Sequence, residues 1–298
     1  GCGQASKEPL RIGINAWPGY EFLYLAQEMG YFEAEGVQVK ILEFDSLADA
    51  RRAFERGQLD GWATTVVEVL QALDYSDRRP QVFQVVDFSE GADVVLAHPS
   101  IGTMAELKGK RVGVELASLG VFMLDRSLEK SGLTLNDVVI VSSDQISMAE
   151  EFLAGNLEAV VTYPPTSLEL LRDGKSQIVF SSLEVPGEIV DVIAMDAQVI
   201  ERRMEDVKRV SRAYYRALEF SHSNKVESYG IMGAREGISA QEFQEALEGG
   251  IRMVQATEQE SFLGTDGKLG RVVESVDRIL RATGQIKGPD RTSGSFIL

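Results

Sequence analysis

Two stretches of this chain repeat each other about a hundred residues apart, and that repeat limits the fold more than any other feature. Arg11-Ile12-Gly13-Ile14-Asn15 returns as Arg111-Val112-Gly113-Val114-Glu115. Phe54, Gly57, Leu59 and Thr64 return 98 positions later as Phe152, Gly155, Leu157 and Thr162, with Gln58-Leu59-Asp60 matched by Asn156-Leu157-Glu158. Val82-Phe83 parallels Val179-Phe180, and Asp93-Val94-Val95 parallels Asp191-Val192-Ile193. A unit this long that occurs only twice does not suit a solenoid and describes two similar lobes.

The periodicity inside the first copy gives the class. LRIGIN at 10–15 reads as a short apolar strand, 22–31 has helical spacing, and 37–44 alternates as a strand. Asp45-Ser46 can cap a helix whose apolar face is Leu47, Ala50 and Phe54; Gly57 ends it and 59–64 is a third strand. The order βαβαβ builds a parallel sheet covered by helices on both faces. The predicted fold is therefore α/β, with two similar doubly wound lobes joined by a two-strand hinge. The lobes are expected at 9–92 with 192–298, and at 93–191. After Met195 the pattern is mostly helical, over 204–220, 240–257 and 269–283, and this part is expected to pack on the first lobe with the tail from Gly284 as a peripheral strap.

With 298 residues the chain can bury two cores, and no stretch approaches the roughly 20 apolar residues of a membrane span. A formal net charge of -16 argues against a nucleic-acid or anionic-membrane partner, because like charge repels over a Debye length. Cys2 is the only cysteine, which excludes an internal disulfide and a cysteine-rich metal site. Gly1-Cys2 is similar to the end of a bacterial lipobox, with 1–8 as a tether; the alternative is an incidental cysteine.

In open parallel sheets ligands lie beyond the carboxyl ends of the strands, so the segments just after the repeated strands are expected to line a cleft. From the first lobe these offer Asn15, Trp17, Tyr20, Thr64 and Thr65. Trp62 sits inside the strand and reads as core. Pro18 and Gly19 turn the loop at Trp17 and can present its ring to a ligand, or let it fold back on its own lobe. The second lobe offers Glu115, Ser118, Thr162 and Tyr163. Ser118 suits either a ligand hydroxyl contact or a helix cap. Asp93 and Asp191 are equivalent by the repeat and begin the two crossover strands, where a carboxylate pair suits an amine or amidine, or caps hinge amides. The hinges are expected near 89–93 and 186–191. No Arg or Lys falls within these segments, which disfavours oxyanion ligands without excluding them, since backbone amides alone bind oxyanions. His98 and His222 read as boundary or surface residues, so no catalytic set, metal site or cofactor is expected.

The segments RIGINAWPGYEFLYLAQEMGYFEAEGVQV, SLADARRAFERGQLDG, SEGADVVLA, ELKGKRVGVELASLGVFML and GNLEAVVTYPP, in this order, resemble the solute-binding proteins of ABC importers for nitrate, sulfonates, taurine and thiamine-pyrimidine precursors. The resemblance implies a type II periplasmic-binding-protein fold, a small-molecule ligand, a membrane permease as partner, a monomer, and a location outside the cytoplasm. It includes a pyrimidine synthase whose cysteine-rich motif with histidine and lysine has no counterpart in this chain. An aromatic heterocycle or amine is the favoured ligand class; taurine, an alkanesulfonate or nitrate is the alternative. A sensory receptor that passes its closed state to a signalling partner is the other.

Overall fold

A computed structural model describes residues 7–264, 266–289 and 296–298; the expected lipidation residue Cys2 and most of its tether lie outside them. Among the described residues the strands run β1 (Leu10–Asn15), β2 (Val39–Phe44), β3 (Gly61–Thr65), β4 (Pro80–Ser89), β5 (Val94–Ala97), β6 (Arg111–Val114), β7 (Val139–Ser142), β8 (Ala159–Thr162), β9 (Gln177–Ser181), β10 (Val190–Asp196) and β11 (Ile251–Met253). They form two sheets, ordered β11-β4-β10-β3-β1-β2 and β7-β6-β8-β5-β9. The chain has the two-lobed α/β architecture that the repeat predicts.

The repeat is also visible in register. Val192 lies opposite Thr64 in the first sheet and Val94 opposite Thr162 in the second, both antiparallel. The crossover strands are thus exchanged: β5 joins the sheet of the second copy, and β10 returns to the first.

The matching residues do matching work. Arg11 binds Asp60 through its amide and guanidinium, and Arg111 binds Glu158 in the same way. Gly13 and Gly113 let Leu59 and Leu157 lie flat on the strand, since a Cβ would come within 2.6 and 2.7 Å of a leucine methyl. Gly57 and Gly155 end the preceding helices at φ 78° and 83°, in the left-handed region that favours glycine. Trp62 is fully buried and stacks on Phe54 with ring centroids 4.1 Å apart, as its in-strand position predicts.

Helices Ala197–Ser223, Lys225–Glu236, Ala240–Gly250 and Lys268–Ala282 follow β10. The continuous helix expected over 240–257 is corrected: it stops at Gly250, and Ile251 starts β11, which pairs with the end of β4. The cause is packing. Gly250 lies so close to the first crossover that a Cβ would sit 3.0 Å from Ala92, and its carbonyl accepts from the Glu90 amide. The two crossovers are tied side by side, with Ser89 Oγ 2.8 Å from Ser182 Oγ, the Gly91 amide donating to Ser182 Oγ, and the Ser182 amide donating to the Asp93 carbonyl. Among the described residues no helix is long and apolar enough to cross a membrane.

Candidate functional site

Two adjoining cavities lie between the lobes, at the carboxyl ends of β1, β3, β6 and β8. Each has about 10 Å³ of free volume, room for about one water molecule. The first lobe contributes Asn15, Trp17, Tyr20, Leu47, Thr65 and Asp191, and the second contributes Glu115, Ser118, Leu119, Gln145 and Tyr163; Asp93, at the crossover, lines both. The lobes are therefore closed on each other. A larger groove of about 770 Å³ sits on the outer side of the first lobe around Tyr31, Phe83, Tyr215 and Phe220, and holds none of the residues predicted to bind.

The loop after β1 is shaped around a carboxylate. Trp17 is buried, its Nε1 donates to Asp87 Oδ2 at 3.0 Å, and its ring meets Tyr163 of the other lobe edge-on at 6.0 Å. Of the two readings for Trp17, a ring offered to a ligand or one folded back on its own lobe, the structure combines features of both: the ring is tied to Asp87 and still lines the cavity against Tyr163. Any side chain at Gly19 would collide with Asp87, since a Cβ would lie 2.0 Å from Oδ2. Tyr20 donates to Asp191 Oδ1 at 2.8 Å. Asp191 faces Asp87 across β10 and β4, and each keeps one buried oxygen, Asp87 Oδ1 and Asp191 Oδ2, without a hydrogen-bond partner. Burial raises both carboxyls, and for Asp191 the charge of Asp87 adds to it. The repeat pairs Asp93 with Asp191, and the two line one cavity; strand register adds Asp87 as the direct cross-strand neighbour of Asp191.

Across the cleft, Asn15 Nδ2 donates to Tyr163 OH at 3.2 Å, and that hydroxyl donates to Glu115 Oε1 at 3.1 Å. Gln145 Nε2 also donates to Glu115 Oε1, and Thr162 Oγ1 donates to Gln145 Oε1 at 2.6 Å. Thr162 therefore stands behind Gln145 rather than on the cavity wall. Thr64 is fully buried on the face of β3 opposite Thr65, away from both cavities, with Oγ1 unpartnered. Ser118 caps the Leu119–Glu129 helix by accepting from the Gly120 amide and donates to the Glu115 carbonyl.

Sequence reasoning missed Glu68. Its side chain is fully buried in the Val66–Tyr75 helix, Oε1 accepts from the Leu119 amide of the other lobe at 3.0 Å, and Oε2 accepts from Thr65 Oγ1. The spacing Thr65-x-x-Glu68 is that of a capping box and was the available signal. Asp87, an acid inside the apolar strand PQVFQVVDFS, was equally visible.

The electrostatics are one-sided. Burial pushes the carboxyls of Asp93 and Glu115 each up to about 7, and also raises Glu68. Asp93 Oδ2, Glu115 Oε2 and Asn15 Oδ1 have no hydrogen-bond partner. Among the described residues, no Lys or Arg lines either cavity. The nearby buried Arg51 is engaged by Gln71, Glu55 and the Ala117 carbonyl. The site has aromatic walls and spare acceptors in a low-dielectric setting, which fits a guest that brings hydrogen-bond donors or positive charge.

A family profile described as NMT1/THI5 like matches residues 17–228. A Brucella abortus protein provisionally named a binding protein is 25% identical over 233 residues, covering 76% of this chain and 71% of its own length. The 4-amino-5-hydroxymethyl-2-methylpyrimidine phosphate synthase of Aspergillus parasiticus is 25% identical over 146 residues, 49% of this chain and 42% of its own. The alkanesulfonate-binding protein SsuA of Xanthomonas axonopodis pv. citri, solved with MOPS bound, superposes with a TM-score of 0.80 at 18% identity over 96% of both chains. At that identity the likeness shows the fold, the two-lobed type II periplasmic-binding-protein architecture.

Proposed function

Because the chain belongs to the NMT1/THI5-like family, we propose that it is the extracytoplasmic ligand-binding component of an ABC importer. It captures an aromatic heterocycle or amine, of which an aminopyrimidine related to thiamine precursors is the representative. The observation that carries this is the pair Asp93 and Glu115: buried between the lobes, each with an unpartnered oxygen, and set among Trp17, Tyr20 and Tyr163. An amino group or ring N–H supplies the missing donors, and the rings cover its faces. Ligand contacts from both lobes favour the closed form over the open one, and a permease that reads the closed form takes the ligand from it.

The matched synthase raises an enzymatic reading, which the chemistry of this cleft does not favour. Among the described residues, no Cys, His or Lys lines either cavity. His98 packs flat on Phe152 with Nε2 at the Leu157 carbonyl, on the far side of β8, and His222 is half exposed in the last turn of its helix.

The test is a thermal-shift screen with 4-amino-5-hydroxymethyl-2-methylpyrimidine, simple amines, taurine, alkanesulfonates and nitrate. A ligand that binds only the folded chain at a hundred times its Kd adds about 2.7 kcal/mol of stability. The aminopyrimidine is expected to raise the melting temperature, and Asp93→Asn to shrink that rise. A rise with oxyanions alone sinks the ligand assignment.

A further inference from the structure

The Leu119–Glu129 helix points its N-terminus into the cleft, with Ser118, Leu119 and Gly120 on the cavity wall. Free amides and the positive end of the dipole make such a place attractive to an anion. In this chain the place is taken. The Leu119 amide donates to Glu68 Oε1 at 3.0 Å, the Gly120 amide is used by Ser118 Oγ at 3.1 Å, and Glu68 reaches across from the opposite lobe. Its other oxygen is held by Thr65 Oγ1, which also accepts from the Val67 amide and so is locked by its own helix cap. The carboxyl oxygens Asp93 Oδ2 and Glu115 Oε2 are buried on the same cavity without partners.

We propose that Glu68 is a specificity-determining residue: a built-in anion that fills the oxyanion position of the cleft, so that sulfonates, phosphate and carboxylates are rejected and donor-bearing ligands are kept. An incoming oxyanion has to displace Glu68 from the Leu119 amide and then sits against the carboxyls of Glu68, Asp93 and Glu115, a crowding that the nearby Arg51 only partly offsets. An amine or aminopyrimidine leaves the Glu68–Leu119 bond in place and pairs with the free oxygens. The fold of a sulfonate binder is thereby compatible with a different ligand chemistry. The inference rests on the reading that this cleft is the ligand site.

The experiment is titration calorimetry of the whole chain, as wild type, Glu68→Ala and Glu68→Gln, with taurine, inorganic sulfate and 4-amino-5-hydroxymethyl-2-methylpyrimidine. Removing the carboxylate is expected to tighten taurine or sulfate binding at least tenfold in Glu68→Ala. Glu68→Gln keeps the shape without the charge and is expected to gain at least threefold, which covers the case in which the alanine variant does not fold. Oxyanion affinity that stays at the wild-type level in a variant that melts cooperatively overturns the proposal, as does a wild type that binds taurine as tightly as the variants. If the wild type ignores the aminopyrimidine while Glu68→Ala gains oxyanions, the proposal holds and the ligand reading above fails. If the aminopyrimidine binds and the variants gain nothing, the reverse is true.

Discussion

Asp93 and Glu115 each combine a buried carboxyl, an unpartnered oxygen and a pKa near 7, and together these dictate a pH response. Both groups sit above their ordinary values of 3.8 and 4.5 because burial penalises the charged form. A raised carboxyl means that the folded state holds a proton the unfolded state has lost, so the stability these groups contribute is complete below their ordinary values. It is lost as the pH rises through about 7. Without ligand, the melting temperature is expected to fall from pH 5 to pH 8. A cationic guest pairs with the ionised forms, so its affinity is expected to rise over the same interval, with proton release on binding below pH 7. Calorimetry in buffers of different ionisation enthalpy reads that release, and affinity that falls with rising pH contradicts the assignment of these two acids.

At the scale of elements, one plan is used twice with the same joints. The Arg11–Asp60 and Arg111–Glu158 pairs close the same strand-to-strand corner, and Gly13 and Gly113 make the same room for a leucine. Equivalent substitutions therefore carry similar costs. Gly13→Ala and Gly113→Ala each push a leucine methyl out of a filled space and are expected to destabilise by about 1–3 kcal/mol. Urea unfolding of the two variants checks this, and a large cost in one lobe with none in the other shows that the shared backbone hides different packing. The second exchange of the plan, β10 returning to the first sheet, brings Asp191 beside Asp87. Repeat matching alone cannot find that neighbour, because it compares copies and says nothing of which strands lie side by side.

For the whole molecule the decisive fact is that the lobes touch. Asn15 with Tyr163, Arg51 with the Ala117 carbonyl, and Glu68 with the Leu119 amide all cross the cleft, and the cavities between them hold about one water each. An organic guest therefore enters only when the lobes separate about the paired crossovers. In small-angle scattering, the ligand-free chain is expected to exceed the radius of gyration of about 19 Å typical of a compact chain of this length, and to contract toward it when the ligand is added. An unchanged radius under saturating ligand removes the clamshell from the mechanism.

The amino-acid sequence by itself determined the duplicated α/β plan, the strand ends that face the gap between the lobes and the core role of Trp62. These depend on periodicity and on identities that recur along one chain. It did not reveal Glu68 and Asp87 as parts of the cleft, nor that Thr64 and Thr162 stand off the cavity wall. Only the tertiary structure decided those. The partners of Trp17, Tyr20 and Asn15 are Asp87, Asp191 and Tyr163, which lie 70, 171 and 148 positions away. Which carboxylate reaches which donor, and which keeps a spare oxygen, is a matter of strand register and lobe closure. Burial then turns those distances into charge states, because a carboxylate out of water is governed by the few groups beside it.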